Sequence, residues 1–212
     1  MRKQTAIWLM LMAGGVFLLA CGCGFSRHQP EPVTYYALHY DAPESQMAVE
    51  NIIGSPVIIR VKRLQAQPPF NTTHIVYADN PYQRSRYLYH QWVTTPAEML
   101  STLLTRDIEA ASTTGMTVSS NPGNAPTHRV EGTIIDFYEN DEPPEWEAVL
   151  VLRLAMTRID PVSRSEEILF QKTYREIRVL QKNNPHELAR SMSKAMEAVS
   201  NRFIGDMYDK LQ

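Results

Sequence analysis

The sequence predicts an α+β domain: an antiparallel sheet with two amphipathic helices packed on one face. Two observations carry this expectation. Two segments open with a cap residue, a proline and a glutamate, then continue with apolar residues at helical spacing. Between them lie three long runs of alternating, β-branched sequence joined by short connections, the pattern of an antiparallel meander.

The first residues are not part of that domain. Arg2 and Lys3 precede AIWLMLMAGGVFLLA, an apolar stretch of 15 residues that has the layout of a secretory signal and is short for a membrane span. It ends in LLACGCGF, which holds both cysteines of the 212-residue chain. A Cys-X-Cys disulfide would close too small a ring to staple anything else, the Cys-X-X-Cys spacing of redox sites is absent, and the six histidines form no ligand motif. Leu18-Leu19-Ala20-Cys21 resembles a bacterial lipobox, so Cys21 is the expected lipid attachment site. Cys23 fits worse, because Ala20 would then stand three before the cysteine, where leucine is usual. Several acyl chains make a lasting anchor without a spanning helix. Gly22, rather than Asp, after the lipidated residue points to the periplasmic face of an outer membrane.

Residues 1–20 thus read as a signal peptide, 21–32 as the lipidated cysteine and a polar tether reaching roughly 35 Å when extended, and 33–212 as one periplasmic domain. Net charge moves from −2 to −4 once Arg2 and Lys3 are removed, which gives no electrostatic case for nucleic acid.

Within the domain, VTYYALHY (33–40) predicts a strand, and residues 41–56 a loop with a helical turn. SPVIIRVKRL (55–64) places Val57, Ile59 and Val61 on one face of a second strand, which QAQPPF ends. Residues 73–79 and 86–92 predict two shorter strands around the turn NPYQRS. The first helix follows Thr95-Pro96-Ala97-Glu98, with Ala97, Leu100, Leu104, Ile108 and Ala111 on one face and Gly115 at its close. Strands are expected at 127–140, 146–160 and 166–180; the middle one sets Trp146, Ala148, Leu150, Leu152, Leu154 and Met156 on one side. The second helix follows Asn184-Pro185-His186-Glu187 and carries Leu188, Met192, Met196, Val199, Phe203, Met207 and Leu211 as a stripe. Acids and bases mix on its polar face, which favours core packing over a membrane-surface helix.

Catalytic chemistry is hard to find. No nucleotide loop, G-x-S-x-G elbow or H-E-x-x-H pair occurs, so no enzyme, cofactor or metal is expected. The acidic run Glu139, Asp141, Glu142, Glu145 and Glu147 lacks the spacing of a calcium loop and reads as a solvated hairpin tip. One segment is rich in recognition chemistry. In YADNPYQRSRYLYHQW, Tyr77, Tyr82, Tyr87, Tyr89 and Trp92 stand among Arg84, Arg86 and His90, a composition of binding hot spots. The competing reading is that alternate residues pack beneath the helices while the arginines face water.

Together the lipobox, the YYAL strand after the tether, GSPVIIRV, and IVYADN leading to YLYHQWVTTPAEML resemble the ABC-type transport auxiliary lipoproteins, the PqiC-like family. Trp92 and Pro96 match the family's pattern of a strand ending in Trp, then Pro, then an amphipathic helix. The resemblance implies a docking subunit of an MCE-type lipid-transport system, with an MCE-domain periplasmic protein and an inner-membrane transporter as partners. A second copy of the chain is a further expected partner. The alternative is an outer-membrane regulator or assembly factor for cell-wall synthesis or lipopolysaccharide insertion.

Overall fold

In chain order the elements are β1 (Thr34–Tyr36), β2 (Val57–Val61), β3 (Gln65–Ala66), a single 3-10 turn at Pro68–Phe70, β4 (His74–Ala78), β5 (Ser85–Trp92) and α1 (Pro96–Ala111). They continue with β6 (Met116–Val118), β7 (His128–Asn140), β8 (Glu147–Ile159), β9 (Glu166–Val179) and α2 (Pro185–Leu211). This computed structural model describes residues 31–43, 56–112, 116–119, 123, 125–142 and 144–211. The expected lipid site Cys21, most of the loop at 41–56 and the helix stop at Gly115 lie outside the described residues.

The alternation of β7, β8 and β9 gives the expected antiparallel meander, with β8 paired along its length on both sides. The rest of the sheet departs from the antiparallel expectation. Successive segments β2, β3 and β4 run parallel to β7 along its other edge, meeting it at His128–Val130, Thr133–Ile134 and Glu139–Asn140. β6 adds to β2 in parallel, β5 to β4 antiparallel, and β1 to β5 in parallel. The result is a mixed, nine-stranded sheet in an α+β fold. Seven of these strands overlap the expected ones; β3 and β6, of two and three residues, are too short to leave a period-2 signal.

On the inner face of β8, Ala148, Leu150, Leu152, Leu154 and Met156 are all buried, whereas Trp146 lies before the strand and is 38% exposed. The helical stripes meet this core as their spacing dictates. Ala97, Leu100, Leu104 and Ile108 of α1, and Leu188, Met192, Met196, Val199, Phe203 and Met207 of α2, join one continuous cluster with them. Both caps form. The Thr95 hydroxyl accepts from the Glu98 amide at 3.4 Å and the Asn184 amide oxygen from the Glu187 amide at 2.9 Å. Neither glutamate is recorded reaching back to its cap: Glu98 pairs with Arg63 and Glu187 with Arg190.

One buried and one part-buried polar pair tie the helices to the rest of the domain. Tyr40 donates to Asp107 Oδ2 at 2.6 Å, and Arg106 donates to Asp107 Oδ1 and to the Tyr40 carbonyl, fastening the extended residues after β1 to α1. Burial, with the neighbouring Asp107 carboxylate, pushes the Tyr40 phenol above its usual range. Tyr174 of β9 donates to Asp206 Oδ2 of α2 at 2.6 Å. Val33–Gln212 form one compact unit. Among the described residues no helix is long and apolar enough to cross a membrane.

Candidate functional site

The aromatic segment singled out in the sequence becomes the β4–β5 hairpin, and its geometry is set by a bulge. Two steps along β4, from His74 to Val76, are matched by five along β5, from Gln91 to Arg86. Extra residues in one strand break the strict alternation of faces. Tyr87 and His90 therefore turn to the same side, where their rings meet edge-on at 5.7 Å, while Leu88 and Tyr89 are pushed into solvent. His74 holds the bulge. Its Nδ1 lies 3.1 Å from the Tyr87 carbonyl oxygen, which only accepts, so Nδ1 is the protonated nitrogen.

Beneath the bulge lies a chain of polar aromatics. The Tyr36 hydroxyl is 3.1 Å from His90 Nδ1, Tyr77 and Tyr87 pack at 5.0 Å between ring centroids, and Tyr87 donates to Glu139 Oε2 at 2.9 Å. Glu139 is fully buried, against the expectation of a solvated acidic tip. Its position in β7 explains this: Glu139 follows Phe137 on the inward face, and alternation carries the carboxyl inside. Burial, aided by the charge of Asp141 and opposed by the Tyr87 hydrogen bond, pushes its carboxyl up to about 7. Burial and the same carboxylate push the Tyr87 phenol upward.

The seven residues expected at a partner surface separate into three environments. Trp92 is 2% exposed and packs on Phe137 at 5.2 Å, so it is a core residue with no surface to offer. It continues the inward face of β5 beside Tyr36 of β1, which packs on the same core. Tyr77 and Tyr87 are half-buried in the polar network. Tyr82, Arg84, Arg86 and Tyr89 are exposed, Tyr82 at 97%.

The hairpin tip is nonetheless ordered by its own contacts. The Asn80 side chain accepts from the Tyr82 amide at 3.0 Å, and the Arg84 guanidinium donates to the Gln83 carbonyl at 3.0 Å while lying 4.4 Å over the Tyr138 ring. Tyr138 in turn stacks on Phe70. Arg86 has no ion pair among the described residues. Sequence reasoning missed Tyr36 and Glu139 as members of this region, and named His90 only as a neighbour of the aromatics. The polar-aromatic composition was visible, but the bulge and the pairing with β7 that join them were not.

Glu139 has an unusual protonation balance but is sealed from solvent. A hollow of ≈ 280 Å³ is lined by Lys62, Gln65, Thr133 and Arg153 among others, and no histidine or cysteine lines it. Among the described residues no three His, Cys, Asp or Glu side chains are placed to hold a metal ion.

Comparison with known proteins gives the fold a context. Protein XCC0632 from Xanthomonas campestris, of the DUF330 family, superposes with a TM-score of 0.69 at 12% identity, covering 84% of this chain and 96% of its own. Hypothetical protein CT253 from Chlamydia trachomatis superposes at 0.52 with 7% identity, covering 74% of this chain and 98% of its own. At such identities the likeness concerns the fold alone. No curated protein matches the sequence at a significant level. The model of the ABC-type transport auxiliary lipoprotein component matches residues 36–203, from Tyr36 of β1 through the hairpin and meander into α2. By that match the chain belongs to the family of ABC-type transport auxiliary lipoprotein components.

Proposed function

We propose that this family member is anchored through Cys21 to the periplasmic face of an outer membrane and serves as the docking subunit of an MCE-type lipid-transport system. The observation that carries the reading is the β4–β5 tip. Tyr82 stands fully exposed, Arg84 is fixed over Tyr138, and Arg86 presents a charge without an ion-pair partner among the described residues. Exposed aromatic and guanidinium groups are typical anchors of protein interfaces, and Arg84, already held over Tyr138, loses little conformational freedom on binding. The family description supports a transport auxiliary role, and lipid cargo, the MCE-domain partner and the inner-membrane transporter belong to this proposal.

Photo-crosslinkers at Tyr82, Arg84 and Arg86 in cells test it. Capture of an MCE-domain protein, alone or with a second copy of the chain, is the expected result. Crosslinks confined to cell-wall synthesis or lipopolysaccharide-insertion proteins would favour the regulator reading instead.

A further inference from the structure

A second surface lies beyond the bulge, on the outward side of β1 and β5. β1 is the terminal strand of its side of the sheet and pairs with β5 in the register Thr34 to His90, Tyr35 to Gln91 and Tyr36 to Trp92. Tyr36 and Trp92 face the core, so alternation turns Tyr35, its neighbour Val33, and Val93 outward, and the bulge leaves Tyr89 in solvent beside them. These side chains are large, apolar and open to solvent. Tyr35 is 61% exposed, Val93 55%, Tyr89 40% and Val33 38%, with Leu88 of the bulge at 73%. Isolated exposed apolar residues are ordinary, but Tyr35 and Tyr89 on two paired strands, flanked by Val33 and Val93 and adjoined by Leu88 of the bulge, make a patch that calls for an occupant.

We infer that this patch rests on the lipid surface to which the chain is tethered, an inference that relies on the Cys21 anchor. The chemistry of the patch fits an interface between water and hydrocarbon. Tyr35 and Tyr89 each offer an apolar ring ending in a hydroxyl with no hydrogen-bond partner recorded among the described residues, the form that settles at headgroup depth. No acidic residue occurs on β1 or β5, so neither strand sets a negative charge against an anionic lipid surface. The tether supplies the second argument. Residues 22–32, read from the sequence as a tether, end at Val33, the first residue of the patch, and even fully extended a chain of that length reaches no more than roughly 35 Å. A patch too small to hold a free protein on a bilayer becomes effective when its surface is confined that close to lipid. The tip carrying Tyr82 lies before β5, on the opposite side of the bulge from Gln91 and Val93, which leaves it available to a protein partner while the patch is seated.

The test uses the full chain with Cys23→Ser, processed in its host and reconstituted into phosphatidylethanolamine and phosphatidylglycerol vesicles containing nitroxide-labelled lipid. An environment-sensitive dye is placed on Tyr35→Cys, Val93→Cys or, as a control off the patch, Val162→Cys, where the native residue is 91% exposed. The expected result is at least twofold stronger quenching at positions 35 and 93 than at 162, with a blue shift. Adding Leu88→Glu and Tyr89→Glu to the Val93→Cys chain should abolish the excess. Equal quenching at all three sites in chains that float with the vesicles overturns the lipid contact and leaves the anchor standing. Crosslinks between copies through position 35 without quenching overturn it in favour of self-association. Chains that do not float overturn the anchor and this inference together.

Discussion

The Tyr87 hydroxyl donates to Glu139 Oε2 at 2.9 Å, while Glu139 Oε1, equally buried, has no hydrogen-bond partner among the described residues. Burial makes this carboxyl resist ionisation despite the Tyr87 hydrogen bond, and the direction of its shift fixes a pH dependence. The unfolded chain releases this proton near 4.5 and the folded chain near 7, so the folded state binds more protons between those values. Stability from this group is therefore complete below pH 4.5 and is lost as pH rises to about 7. The loss is about 3 kcal/mol at full effect. In Glu139→Gln that part of the pH dependence should vanish. Urea unfolding of both proteins at pH 5 and pH 8 checks it, and parallel losses in the two would refute the assignment.

Tyr87→Phe acts on the same pair with the opposite expectation. The hydrogen bond from Tyr87 favours the ionised carboxylate, so removing it should drive the Glu139 transition further above neutrality. The readout is the carboxyl carbon shift of labelled Glu139 followed by NMR through a pH titration. A transition that stays in place or moves down would show that Tyr87 does not govern it.

Gly132→Ala probes the centre of the sheet. Gly132 pairs with Leu154 across β7 and β8, and an added Cβ would lie against the Arg153 carbonyl oxygen and 2.6 Å from Leu154 Cδ2. The Leu154 methyl could swing aside, but the carbonyl belongs to a strand hydrogen-bonded on both edges and has no such freedom. Overpacking of this kind costs about 1–3 kcal/mol. Gly205→Ala in α2 is the contrast, since nothing lies within 4 Å of its added Cβ and a helix interior prefers alanine; it should be neutral or stabilising. The melting temperature should fall in Gly132→Ala and hold or rise in Gly205→Ala.

Burial of the α2 stripe makes Met196→Asp a severe change. Met196 is fully buried in the shared core, and an unpaired carboxylate there costs several kcal/mol, about half the stability of an ordinary domain. The variant should unfold or aggregate, and an unchanged melting temperature would mean that the stripe is exposed to a membrane or a partner.

What could be read from the sequence is what is local. Thr95 and Asn184 mark their helices because a cap acts on amides three residues on, and the Leu150, Leu152, Leu154 series marks β8 because one face repeats every second residue. Parallel pairing of β2, β3 and β4 with β7 was not readable. It joins residues such as Ile59 and His128 across an intervening helix, and the same alternation serves either direction of pairing. The bulge in β5 misled more specifically. Strict alternation would put Tyr87 and His90 on opposite faces, and no residue type announces the extra residues that bring them together. Glu139 was misread because its charged neighbours suggested a solvated turn, when its parity with Phe137 already turned it inward.

Cys21 remains the residue on which the anchored role depends, and its chemistry makes a sharp prediction. Lipidation of a lipobox cysteine precedes removal of the signal, because the processing peptidase acts on the diacylated thiol. Serine at position 21 lacks the sulfur that accepts the diacylglyceryl group, so Cys21→Ser should accumulate as an uncleaved precursor that retains residues 1–20. Cys23→Ser leaves Leu18-Leu19-Ala20-Cys21 intact and should be processed normally. The intact mass of the wild-type mature chain should show a new N-terminus at residue 21 carrying acyl groups, whose roughly 0.8 kcal/mol per buried methylene holds the chain at the bilayer. An acylated N-terminus at Cys23 would shorten the tether by two residues and reassign the anchor. A cleaved but unacylated chain would remove the membrane from the mechanism, and with it the advantage that a confined docking surface has over a freely diffusing one.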